Sequence, residues 1–130
     1  YNTKVLSGTI PDSGNGFGFV TETYISNGIQ NGSPDGIALV NNGVLVQFLS
    51  YEGSFTGVDG PAAGILSTDI GVEETGTTAV GASLQLQGTG KKYEDFIWTA
   101  TPIANTFNQI NTEIIVVNRI HRNIYNRHMK

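Results

Sequence analysis

The stretch GIALVNNGVLVQFLSYEG, residues 36–53, constrains the fold more than any other part of the chain. Two apolar runs flank Asn41-Asn42-Gly43. Asn and Gly enter the left-handed backbone region that tight hairpin turns need. The spacing predicts strands at about 37–41 and 44–51. In the second, Val44, Val46, Phe48 and Ser50 alternate with Leu45, Gln47, Leu49 and Tyr51. Both sets are largely apolar, which predicts a central strand.

The rest of the chain fits an all-β reading. Glycine supplies 17 of the 130 residues, well above the usual ~7%, and it serves the positive-φ corners of hairpins and bulges. No segment before the C-terminal tail shows a 3.6-residue period. A strand is expected at about Gly18 to Ile25. SLQLQG alternates, with Leu84 and Leu86 expected inward and Gln85 and Gln87 outward. DFIWTAT places Phe96, Trp98 and Ala100 on one face and Ile97 and Thr99 on the other. The Gly- and Pro-rich segment 53–83 reads as loop. At 130 residues the chain is one domain, large enough for a real core.

Charge is unevenly placed. Residues 1–118 hold three bases (Lys4, Lys91, Lys92) against eleven acids, a balance of −8. Residues 119–130 hold Arg119, Arg122, Arg127 and Lys130 and no acid, a balance of +4. An acidic body repels nucleic acid and anionic lipid, so nucleic acid is not an expected partner of residues 1–118. The basic tail is drawn to such partners and equally to another copy of the acidic body. No apolar run approaches the ~20 residues of a membrane span.

Several motifs together carry a family resemblance. NGSPDGIALV (31–40), VQFLSYEGSFT (46–56), DGPAAG (59–64), STDIGVEE (67–74), SLQLQGTG (83–90) and ANTFNQINT (104–112) occur in order. The chain resembles the lamin-tail domain family, in particular the bacterial secreted branch found beside endonuclease/exonuclease/phosphatase-type nucleases. That resemblance implies an immunoglobulin-like β-sandwich, an extracellular or cell-surface location and no catalytic activity. It also implies further strands ahead of the segment matching VLSGTIPDSGNGFG. The family domain ends near residue 112, so residues 1–112 are expected to form the sandwich and 113–130 an added basic tail.

The tail, EIIVVNRIHRNIYNRHMK, has strand period. Ile114, Val116, Ile120 and Ile124 share one face with Asn118 and Arg122, and Arg119 lies on the other. A sandwich short of its first strands would leave open edges, which recruit other strands. The expectation is that the tail strand fills such an edge, in its own chain or in a neighbour's. Between neighbours this is donor-strand complementation, giving a homo-oligomer or a filament. The assembly residues would be Ile114, Val116, Ile120 and Ile124, with Arg119 and Arg122 supplying charge. The alternative function is an accessory domain of a secreted nuclease that binds DNA or a surface glycan.

Catalytic and metal sets are sparse. Both histidines, His121 and His128, lie in the tail and are expected to be surface or interface residues rather than members of a triad. There is no cysteine. Calcium is the metal this composition leaves open, because it takes carboxylates and carbonyls from loops. Asp35, Asp59 and Asp69 are the candidates, although turn-forming aspartate is the preferred reading of each. No other cofactor is implied.

Overall fold

A computed structural model describes residues 3–13, 17–24, 29, 32–111 and 114–116. The fold is all-β, consistent with a sandwich. The hairpin stands where the sequence places it. Strand β1 (Asp35–Asn41) turns through Asn42 and Gly43 into β2 (Val44–Tyr51). Both turn residues are left-handed, with φ of 48° and 78°, the pairing that matches the twist of the flanking strands.

The two strands are antiparallel, with Asp35 opposite Tyr51, Ala38 opposite Phe48 and Leu39 opposite Gln47. The next pair is Val40 with Leu45, so the pairing skips Val46. One extra residue on β2 reverses its alternation. Leu45 therefore joins Phe48 and Ser50 on one face, and Val44 joins Gln47, Leu49 and Tyr51 on the other. The simple alternation expected along 44–51 fails at this bulge. The central placement of β2 holds, because β3 (Thr68–Asp69) pairs parallel to its far side.

The second half builds two further sheets. Strand β4 (Ala82–Ser83) pairs antiparallel with β7 (Ile103–Ala104). Strand β5 (Leu86–Gly90) lies between antiparallel β6 (Phe96–Trp98) and parallel β8 (Ile114–Val116). The β5–β6 connection is a tight 3-10 turn at Tyr93–Asp95. The Asp95 carboxylate accepts the backbone N–H of Lys91 at 2.7 Å and of Lys92 at 3.0 Å. Those bonds favour its charged form and hold its pKa below the ordinary carboxylate value.

Two expectations are corrected here. Residues 18–24 form no strand. They run beside the first segment as irregular chain, tied by a Lys4–Glu22 ion pair at 3.1 Å and by Phe17 set edge-on against Phe96 at 6.1 Å. Gln85 is not outward. It is 4% exposed, while Leu84 and Leu86 are only half-buried. Its amide nitrogen donates to Ser83 Oγ at 3.0 Å and to the Ala104 carbonyl at 2.8 Å, and its oxygen lies 3.3 Å from Thr106 Oγ1, whose single hydrogen it shares with the closer Asn111 Oδ1. An amide with both N–H groups bonded tolerates burial that an unpartnered one does not.

The apolar core is small. Among the described residues only Phe48 and Ala62 are buried apolar side chains. Phe48 packs edge-on against Phe55 at 5.2 Å between ring centroids. Gly36 makes room for that contact, since a Cβ there would lie 2.5 Å from the Leu49 carbonyl oxygen and 2.9 Å from Phe55. Gly36→Ala is therefore expected to destabilise by about 1–3 kcal/mol through overpacking. The measurement is a urea unfolding midpoint, and an unchanged midpoint contradicts this account of Gly36.

Candidate interaction surface

Strand β1 is an edge. Among the described strands it pairs only with β2, so its outer row of N–H and C=O groups faces no described strand. It is also the longest edge strand, with seven residues against two in β3 and three each in β6 and β8. Natural edges are usually blunted by lysine, proline or an inward-pointing charge. Here the sixteen residues from Gly36 to Tyr51 carry no charged side chain and no proline.

The side chains along this edge are apolar and exposed. Ile37 is 53% exposed, Leu39 45%, Val44 66% and Val46 60%. Ile37, Leu39 and Val44 lie on the outer face once the bulge is counted. The other face is covered near its Tyr51 end. There Phe48 meets Phe55, and the buried Ser50 hydroxyl accepts from Ser67 Oγ at 2.7 Å. Ser67 Oγ in turn accepts the Phe55 N–H at 2.9 Å. The hairpin is thus pinned at one end and bare toward its turn.

A cleft of about 860 Å³ opens between the end of β2 and the loop after β6. Glu52, Asp69, Glu73, Thr75, Thr101 and Pro102 are among its lining, which contains no His, Cys, Lys or Arg. Beside it, burial and the nearby Asp35, Glu52 and Glu74 carboxylates push the Tyr51 phenol pKa above its ordinary value. The field at this end of the hairpin is negative.

Two of the three calcium candidates bond turn backbone. Asp35 accepts the Gly32 N–H at 2.7 Å, and Asp69 accepts the Gly71 N–H at 3.0 Å. Asp59 precedes the 3-10 turn at Gly60–Ala62 without capping it through its side chain. Among the described residues no three His, Cys, Asp or Glu side chains gather as a metal site would require.

The start of the tail is a strand. Ile114 and Val116 lie in β8, parallel to β5 of the same chain, with Ile114 opposite Gly88 and Val116 opposite Gly90. Polar side chains deliver the chain to this position. Asn111 donates to the Leu86 carbonyl at 3.1 Å and accepts from Thr106 Oγ1 at 2.8 Å, and Thr106 also bonds Gln85. Ile120, Ile124, Arg119 and Arg122 lie outside the described residues. No described helix is long and apolar enough to cross a membrane.

No family model, curated protein or solved structure matches the chain. The surface is therefore read from its own chemistry. Sequence reasoning placed the hairpin but treated its apolar residues as interior. The sequence does not separate the two, since sixteen uncharged residues in a row suit a buried strand as well as an unprotected edge.

Proposed function

We propose that this protein is a non-catalytic interaction module that associates with copies of itself by strand addition. The observation that carries the reading is the exposed apolar run of the β1–β2 hairpin, uncharged from Gly36 to Tyr51, beside a core in which two apolar side chains are buried among the described residues. Large exposed apolar patches rimmed by polar groups mark association sites. The resemblance to lamin-tail domains supports a structural role, with an immunoglobulin-like arrangement and an extracellular or surface setting as part of the same proposal. The opposite charges of body and tail favour contacts between copies, and the tail beyond β8 is a second joint through which an oligomer or filament could grow.

Sedimentation velocity across a hundredfold range of protein concentration tests the reading. Oligomers that grow with concentration are the expected result. A monomer throughout the range overturns self-association. A monomer that binds duplex DNA or a glycan in titration points instead to an accessory binding domain.

A further inference from the structure

We infer that the outer edge of β1 pairs antiparallel with β1 of a second copy, joining two three-stranded sheets into one of six strands. This rests on the self-association reading and deepens it by naming the joint and its register.

The edge is complementary to itself. An antiparallel pair centred on Ala38 sets Ile37 opposite Leu39 of the second copy, and Leu39 opposite its Ile37. Opposed residues of an antiparallel pair project to the same face. The four exposed side chains therefore form one apolar cluster on the outer face. On the inner face Gly36 meets Val40 of the second copy, a small residue against a large one. Asp35, the only charge on the strand, meets Asn41 of the second copy, so no like charges are opposed. Seven residues at ~3.3 Å each give a seam of about 23 Å. The other edges are short, and a three-residue seam supplies few ladder bonds. The bulge that usually disrupts an edge lies on β2, away from the seam.

A two-fold seam is isologous and closes at the dimer. It uses neither the tail nor β8, which is already paired with β5. A tail joint and a β1 joint are therefore separable.

The test uses the full chain with three changes made singly: Leu39→Lys, Ala38→Cys and a deletion of residues 117–130. Leu39 is exposed, so folding of that variant is checked by its thermal melt. Leu39→Lys is expected to weaken dimerisation about tenfold or more in sedimentation equilibrium, because it opposes a charge to an apolar side chain across the seam. The chain has no native cysteine. Ala38→Cys is therefore expected to give a covalent dimer under mild oxidation, and Val58→Cys, at a site 74% exposed elsewhere, is expected to give much less. The tail deletion is expected to keep the dimer. Self-association that persists unchanged in Leu39→Lys overturns the β1 joint and leaves the self-association reading standing. So does equal crosslinking at both cysteines, or loss of the dimer on tail deletion alone. A wild-type chain that stays monomeric overturns both.

Discussion

Phe48→Ala is expected to lower the unfolding free energy by about 3–4 kcal/mol, read from urea denaturation. Phe48 is one of two buried apolar side chains among the described residues, and its ring meets Phe55 edge-on. Removing it takes away transfer free energy and the aromatic contact, and leaves a cavity between β2 and the 55–67 loop. Backbone bonds hold that loop at Phe55 and Ser67, with the Ser67 N–H donating to the Phe55 carbonyl at 2.9 Å. The cavity walls are therefore unable to collapse freely. Most domains are stable by only ~5–15 kcal/mol, so this single change removes a large share. A loss below about 1 kcal/mol would mean that the hairpin does not depend on this contact.

Gln85→Leu is expected to cost about 2 kcal/mol and to loosen β8 in particular. The substitution keeps volume and removes both the donor and the acceptor. The Ala104 carbonyl then loses its 2.8 Å bond, and Thr106 loses one of its two partners. Losing two hydrogen bonds at about 0.5–1.5 kcal/mol each gives that magnitude. The spatial consequence is more informative than the magnitude. Thr106 and Asn111 bond each other, and Asn111 holds the Leu86 carbonyl at the start of β5. Faster amide exchange at Ile114–Val116, with the β1–β2 hairpin unchanged, is the expected pattern. Uniform acceleration across all three sheets would instead mean that Gln85 supports the fold as a whole.

The hairpin was legible because its turn chemistry is local. Asn42 and Gly43 select a two-residue loop, and that loop fixes which residues face each other. The bulge was not legible, since an unbroken apolar run gives no sign of which residue is extra. Alternation misplaced Gln85 because period alone treats every polar side chain as outward, whereas an amide with both N–H groups bonded is stable inside. Residues 18–24 have strand-like composition but pair with no described strand, and partner availability is a tertiary matter. The strand character of Ile114–Val116 could be read from its β-branched residues. Its direction and its choice of β5 could not, because both depend on where Asn111 is anchored. The proposed interaction surface lies in the same stretch that reveals the hairpin, and recognising it required knowing that no described strand pairs with the outer side of β1.

The parallel pairing of β8 with β5 sets an order in time. A two-residue hairpin closes within microseconds from neighbouring residues. A parallel pair that spans the segment 91–113 must first gain its intervening turns, and such non-local contacts form late. During synthesis β1 and β2 emerge and join while the residues of β8 are still inside the ribosome. The apolar edge of β1 is thus exposed before its own chain has finished folding, and the pairing proposed for it would be open to nascent copies.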